Sequence, residues 1–206
     1  MRHGEVFNPE RVLYGRLPGF KLSDLGRQMA EKAAADLVER ARPVVRVVAS
    51  PLQRTQESAA PVMAAFGLPL DLDERLIEPA NRFEGKRMRG PGGALRDPRN
   101  WSSLVNPARP SWGEPFASIA TRMRAAIDDA FHSVDDGDVI LVSHQLPIWM
   151  VHRSLAQERL AHDPRKRRCD LSSITTLALR GTVPTEVGYT SPAASLLVPA
   201  NDVGAV

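Results

Sequence analysis

The chain has 206 residues, of which 43% are hydrophobic and 25% are charged, and its formal net charge at pH 7 is +3. This composition is typical of a soluble globular domain with a sizeable core, and no stretch approaches the roughly 20 apolar residues of a membrane span. The single cysteine, Cys169, excludes an internal disulfide framework and a multi-cysteine zinc site. Because no signal peptide is visible either, we expect a cytoplasmic protein. The slightly basic charge suits a small anionic ligand at least as well as nucleic acid.

The first third of the chain predicts two helices with a strand between them. Apolar residues at four-residue spacing indicate a helix over about 25–40, and Ser23 is placed to cap its N-terminus. The β-branched run at 44–49 is typical of a buried strand. A Ser-Pro pair then ends the strand and starts a second helix, which spans about 51–67.

Residues 79–115 differ in character from the segments on either side. They contain many glycines and prolines and few signals of regular structure, which predicts a lid-like insertion. The insertion is also rich in aromatic and basic residues: Trp101, Trp112, Arg82, Lys86, Arg87, Arg89, Arg96, Arg99 and Arg109. These basic residues favour a ligand with further anionic groups, but a solvated lid is equally compatible with them.

The second half of the chain continues the alternation of helices and strands. Its patterns predict helices over about 116–131 and 147–158, and strands over 139–143, 173–179 and 186–190. We therefore expect an α/β three-layer sandwich, in which helices flank a largely parallel central sheet. Residues 1–190 would form this single domain, and 191–206 a loosely held C-terminal tail.

Two chemically active residues fall where such a sheet binds ligands, beyond the carboxyl ends of its strands. His144 directly follows the predicted strand that ends at Ser143. Arg54 lies in the first turn of the helix after the strand that ends at Ala49. We expect these two side chains to lie close together.

Four short motifs, in this order, resemble those of the histidine phosphatase superfamily, the phosphoglycerate-mutase-like family. They are Arg2-His3-Gly4, the segment from Ser50-Pro51 to Arg54, Leu76-Ile77-Glu78 and Ser143-His144-Gln145. The resemblance extends to Asn8, to Leu22-Ser23-x-x-Gly26, and to Gly113-Glu114 before the helix with Arg122. The combined pattern is far more specific than any single motif.

The resemblance implies a phosphatase that works through a phosphohistidine. His3 would be the nucleophile, and it must be neutral to attack phosphorus. Arg2, Arg54 and His144 would hold the phosphoryl oxygens and match the charge of the transition state. Positive neighbours would also disfavour the charged form of His3.

The resemblance also implies a general acid and further phosphate ligands. Glu78 would protonate the leaving oxygen and then activate water, with Glu84 as the second candidate for this role. Asn8 and the backbone near Gln145 would donate hydrogen bonds to the phosphate. We expect Glu5 to be solvated.

No metal ion and no other cofactor is implied. The remaining histidines, His132, His152 and His162, form no compact ligand motif, and we interpret them as surface or satisfied core residues. The basic run at 165–168 lacks interleaved aromatic residues, so we interpret it as a solvated connection rather than a nucleic-acid contact.

Two other functions stay open. One is a phosphoglycerate-type mutase, although the paired-arginine segment with which such mutases grip a carboxylate is not found, and residues 86–93 occupy its place. The other is a non-catalytic anion- or nucleic-acid-binding protein on the same fold. Our preferred partner is a small phosphorylated substrate, with no nucleic acid and no membrane; a homodimer is an open possibility.

The start of the chain departs from the family pattern. In the family an apolar strand comes immediately before Arg-His-Gly, whereas here only Met1 precedes Arg2. We expect the natural chain to begin upstream with such a strand. N-terminal mass analysis of the native protein tests this, and a native chain that starts at Met1 would contradict it.

Overall fold

The computed structural model describes residues 1–88, 93–99, 101, 112–198, 200 and 202. In chain order its elements are α1 (Asp24–Glu39), β1 (Val44–Ala49), α2 (Gln53–Phe66), β2 (Leu70–Leu72), α3 (Phe116–His132), β3 (Asp138–Val142), α4 (Gln145–Leu155), β4 (Ile174–Arg180) and β5 (Val183–Thr190). Short 3-10 turns occur at Glu74–Leu76, Ala94–Arg96, Pro164–Lys166 and Ala194–Leu196. In this part of the chain, no helix is long and apolar enough to cross a membrane.

The centre of the fold is a parallel sheet with strand order β2-β1-β3. Successive residues of β1 point to opposite faces, and both faces are buried, which explains its β-branched composition. Val47 and Ala49 pack with the apolar sides of α1 and α2. Val48 packs with α3 and α4 on the other face. The predicted α/β sandwich with a parallel central sheet is thereby confirmed.

Most predicted elements are present, with small shifts at their ends. The second helix begins at Gln53, because Leu52 has extended backbone angles and is its N-cap residue. The helix after β3 begins two residues earlier than predicted, at Gln145. The three-residue strand β2 was not predicted, because so short a segment shows no clear alternation.

The insertion is packed against the domain where the structure describes it. Phe83, Met88 and Ala94 form a small apolar cluster with Leu13, and Trp112 packs against it. Arg89 and Arg109 lie outside the described residues. The lid role of this segment stays a prediction.

A close backbone crossing connects the loop after His3 to the start of α1. Ser23 caps α1 as predicted, since its Oγ accepts the Gly26 N–H at 2.9 Å. A methyl group at Gly26 would lie 2.0 Å from the Glu5 carbonyl oxygen, and one at Gly4 would lie 2.3 Å from the Gly26 carbonyl oxygen. Only glycines allow the two segments to approach so closely.

We therefore expect Gly26→Ala to destabilise the protein. The two backbones must separate, and overpacking of this kind costs about 1–3 kcal/mol or more. Urea denaturation measures the free energy of unfolding. Gly188→Ala is the matched control, since a methyl group there meets only Thr176 at 3.8 Å. Equal stability of both variants would contradict this account.

Residues 1–3 lie between the parallel sheet and the antiparallel hairpin formed by β4 and β5. Arg2 bridges Ser143 in parallel orientation, and its N–H donates to the Ser173 carbonyl at 2.9 Å. The Met1 amino group donates to the Leu141 carbonyl at 2.7 Å. The first residues are therefore hydrogen-bonded as a short strand between β3 and the hairpin.

Beyond Met1, β3 and β4 line a cavity of about 350 Å³, with Ile127 and Phe131 among its apolar residues. Within the described ranges, β3 pairs as a strand with β1 only. Met1 itself also lines this cavity. The upstream strand itself stays a prediction.

We expect an added strand of about five apolar residues before Met1 to stabilise the chain. It would bury apolar surface in the cavity and form backbone hydrogen bonds with the edges of β3 and β4. The melting temperature should rise by about 5–10 °C, since each kcal/mol shifts it by about 2–4 °C at this size.

Burial lowers the pKa of the Met1 amino group to about 6. Stability of the unextended chain should therefore fall as the pH drops from 8 through 6, where that amine becomes charged.

The control for this prediction is the same chain acetylated at Met1. Acetylation removes the charge, and with it the pH dependence from the amine, but leaves the cavity unfilled. An extended chain no more stable than the acetylated one would contradict the prediction.

Candidate active site

The predicted site residues converge at the carboxyl ends of β1 and β3. Five ionisable side chains there are at most 5% exposed: Arg2, His3, Arg54, Glu78 and His144. The rings of His3 and His144 lie 5.2 Å apart in an edge-on arrangement. A buried cluster of ionisable groups is typical of a functional site rather than a solvated surface.

The His3 ring is held in one tautomer. Its Nδ1 lies 2.7 Å from the Gly4 carbonyl oxygen, and because a carbonyl only accepts, Nδ1 carries the proton. Burial lowers the pKa of His3 well below its ordinary value, and Arg54 and Arg2 lower it further. A neutral ring with a lone pair on Nε2 is a competent nucleophile.

The two arginines are oriented by backbone carbonyl groups. Arg2 Nη1 donates to the Cys169 carbonyl at 2.6 Å, and Arg54 Nη2 donates to the Gly15 carbonyl at 2.8 Å. The Arg54 guanidinium also lies over the Tyr14 ring, 4.8 Å from its centre. These contacts hold both positive charges in the pocket, close enough to His3 to lower its pKa.

The side chain of Glu78 is in contact with His144. Its Oε2 lies 3.6 Å from His144 Nδ1. Burial raises the pKa of Glu78 to about 7, although Arg54, Arg167 and Arg2 oppose this. Burial, Arg54 and His3 lower the pKa of His144 well below its ordinary value. The contact is therefore not an ion pair near pH 7, and Glu78 can carry a transferable proton.

His144 and Gln145 form the start of α4. His144 Nε2 lies 2.9 Å from Ser50 Oγ, which is fully buried. Gln145 is the first helical residue, so its backbone N–H belongs to the helix end that attracts anions. This position is suitable for a phosphate ligand.

Other predicted residues have contacts outside the cluster. The side-chain amide of Asn8 donates to the Val12 carbonyl at 2.8 Å and accepts the Val12 N–H at 3.2 Å. Asn8 therefore shapes the loop after His3. Its bond to phosphate stays a prediction. Glu84 Oε1 accepts the N–H groups of Arg16 and Asn81, each at 3.1 Å, which makes it a loop-stabilising residue.

The expectation of a solvated Glu5 is wrong. Its side chain is buried and accepts a hydrogen bond from Ser23 Oγ. This contact joins the loop after His3 to the cap of α1. The local sequence did not reveal it, because the two residues meet only through the backbone crossing at Gly26.

The basic run at 165–168 is solvated only in part. Arg165 is exposed and pairs with Asp163, whereas Arg167 is partly buried. Arg167 donates to Gln145 Oε1 at 3.2 Å and to His162 Nε2 at 2.8 Å. Burial lowers its pKa to about 10, against the effect of nearby Glu78. Sequence reasoning missed this additional cation beside the site, because nothing local distinguishes it from its neighbours.

The described side chains offer no metal site. Among them, no group of three or more His, Cys, Asp or Glu residues could hold a metal ion. His152 instead pairs with Glu186 at 2.6 Å, and His132 Nδ1 lies 2.7 Å from the Asp128 carbonyl.

This fold carries a buried pocket of histidines and arginines, and comparison with known proteins identifies the family. Residues 1–191 match the histidine phosphatase superfamily (branch 1), so the chain belongs to that superfamily. It is 51% identical over 195 residues to the uncharacterized protein Rv0525 of Mycobacterium tuberculosis. This alignment covers 94% of this chain and 95% of the relative. It is 30% identical over 187 residues to a probable phosphoglycerate mutase GpmB of an Enterobacter species, with coverage of 84% and 82%.

Solved structures show the same fold. The mycobacterial glucosyl-3-phosphoglycerate phosphatase in complex with inorganic phosphate superimposes with a TM-score of 0.73 at 25% identity, over 94% of this chain and 96% of that one. YhfR of Bacillus stearothermophilus gives a TM-score of 0.76 at 24% identity, over 90% and 92%. Relatives and neighbours thus include proteins named as phosphatases and as mutases.

Proposed function

We propose that this protein is a metal-independent phosphatase that hydrolyses a phosphomonoester through a phosphohistidine on His3. The observation that supports this most directly is the neutral His3 ring, protonated on Nδ1 and placed beside two buried arginines. Binding of an anion alone needs no nucleophile held in a single tautomer. Catalysis does need one.

The first step forms the phosphoenzyme. His3 Nε2 attacks phosphorus while the bond from phosphorus to the ester oxygen breaks. Arg2 and Arg54 bind equatorial oxygens and match their charge in the transition state, and the neutral His144 ring donates one N–H to the third oxygen. Glu78 gives its proton to the leaving oxygen, and an alcohol departs.

The second step returns the enzyme to its starting state. A water oxygen attacks phosphorus on the opposite side from Nε2 and loses a proton to the Glu78 carboxylate. The bond between nitrogen and phosphorus breaks, and inorganic phosphate leaves. Glu78 is again protonated and His3 is again neutral, so protons balance over the cycle.

The mutase is the second candidate, because one relative at 30% identity is named a probable phosphoglycerate mutase. In that reaction a hydroxyl group of a bound metabolite, instead of water, would accept the phosphoryl group from His3. The two functions therefore differ in whether water reaches the phosphoenzyme.

Hydrolysis of p-nitrophenyl phosphate in excess chelator tests the proposal. We expect turnover that resists the chelator, release of stoichiometric inorganic phosphate, and an acid-labile phosphoprotein after rapid quenching. Phosphoenzyme without phosphate release would favour the mutase. Turnover that the chelator abolishes would contradict the metal-independent mechanism.

A further inference from the structure

The C-terminal tail reaches the candidate active site and contacts Arg2. The Asp202 carboxylate binds both terminal nitrogens of the guanidinium: Nη1 donates to Oδ2 at 2.8 Å, and Nη2 donates to Oδ1. The Arg2 side chain is 1% exposed and that of Asp202 is 38% exposed. Arg2 and Asp202 lie 200 residues apart in the sequence.

Apolar packing brings this carboxylate to the site. Leu196, Leu197 and Ala200 pack against a buried cluster that includes Met29 and Leu171. The expectation of a loosely held tail is therefore wrong for this part of it. Ala200, two residues before Asp202, is part of this packing, so the apolar contacts hold the tail close to Arg2.

The ion pair uses the groups that a phosphate would need. A carboxylate and a phosphate bind arginine in the same way, through two parallel N–H donors of the planar fork. Here Asp202 accepts from both terminal nitrogens, and Nη1 also donates to the Cys169 carbonyl. A phosphoryl group therefore has to displace the carboxylate to bind Arg2 in this manner.

The surrounding charges favour such an exchange of anions. Arg2 lies close enough to Arg54 and Arg167 to lower the pKa of each, whereas Asp202 raises the pKa of Arg2 and Arg167. Burial opposes the charged form of Arg2, but Asp202 outweighs this and raises its pKa overall. The carboxylate thus neutralises part of a buried cationic cluster until another anion replaces it.

We propose that Asp202 is an intramolecular competitor of the phosphoryl group for Arg2. In the free protein the tail carboxylate holds the guanidinium, and the substrate or inorganic phosphate binds by displacing it. This inference rests on the proposed function for its physiological meaning. The competition itself concerns binding and requires no turnover.

The test compares binding of inorganic phosphate to the full chain and to Asp202→Asn, by titration calorimetry. If the tail holds Arg2 in about nine molecules out of ten, the apparent affinity for phosphate should rise about tenfold in the variant. Asp71→Asn is the matched control, since it removes the same charge from an exposed ion pair with Arg46. It should bind phosphate like the unmodified chain.

Two results would overturn the inference. Unchanged affinity in Asp202→Asn would show that the carboxylate does not compete, and weaker affinity would show that it only positions Arg2. A melting curve of the variant shows that the comparison is made between folded proteins. Tighter binding in a protein without turnover would contradict the proposed function alone, and turnover without tighter binding would contradict the competition alone.

Discussion

Replacement of His3 by alanine is expected to abolish hydrolysis of phosphomonoesters and the acid-labile phosphoprotein together. Loss of a nucleophile that works with a general acid costs about 10⁴–10⁶-fold in turnover. The neighbouring imidazole of His144 is already engaged elsewhere, since its Nε2 lies 2.9 Å from Ser50 Oγ and its Nδ1 lies beside Glu78. The measurement is turnover of p-nitrophenyl phosphate together with quantified phosphoprotein.

Two further variants make this result specific to the nucleophile. His3→Asn keeps a side-chain N–H that can donate to the Gly4 carbonyl, so it preserves the local structure without a nucleophilic nitrogen. His132→Ala removes an exposed histidine at the end of α3 and should behave like the wild type. Phosphoprotein that persists in His3→Asn would place the nucleophile elsewhere.

Replacement of Glu78 by glutamine is expected to slow poor leaving groups far more than good ones. General acid catalysis contributes about 10²–10⁴-fold, and an alkyl phosphate needs the proton more than p-nitrophenyl phosphate does. Equal slowing of both substrates would remove Glu78 from the acid role. Glu84→Gln is the comparison, since Glu84 was the second candidate for that role and is bonded to loop N–H groups.

The pH profile provides a separate measurement of the same group. Because the pKa of Glu78 is raised to about 7, its proton is lost as the pH rises through that value, and kcat/KM for an alkyl phosphate should fall on the alkaline side. Because the pKa of His3 is well below its ordinary value of 6.5, the ring stays neutral near pH 7. Its protonation should therefore not lower kcat/KM on the acid side close to neutral pH. Glu78→Gln should remove the alkaline limb. A limb that disappears in Glu84→Gln instead would assign the acid to Glu84.

Phosphatase and mutase share every step up to the phosphohistidine. The residues that hold phosphate and nucleophile are therefore compatible with both, as the names of the relatives illustrate. The two reactions differ in the acceptor of the phosphoryl group, which is water in one and a hydroxyl group in the other. The shape and water content of the space next to His3 therefore separate them. The two ends of the insertion line a small cavity beside Glu78, and the tail contacts Arg2, so these are the segments in which substrate selectivity should be sought.

The sequence by itself determined the architecture and most of the pocket. β1 is apolar except for Arg46, β3 is apolar after Asp138, and α1 and α3 have regular apolar spacing, so local pattern was sufficient to predict them. A parallel sheet binds ligands at the carboxyl ends of its strands, and this placed Arg54 and His144 together. The motif around His3 added the nucleophile.

Only the tertiary structure decided the states and partners of these groups. The tautomer of His3 and the raised pKa of Glu78 depend on burial and on charges from distant segments, which no local pattern encodes. The same holds for Arg167, which is partly buried beside the site although Arg165 is exposed. The pairing of Arg2 with Asp202 joins the two ends of the chain, and such a contact exists only once the core between them has folded.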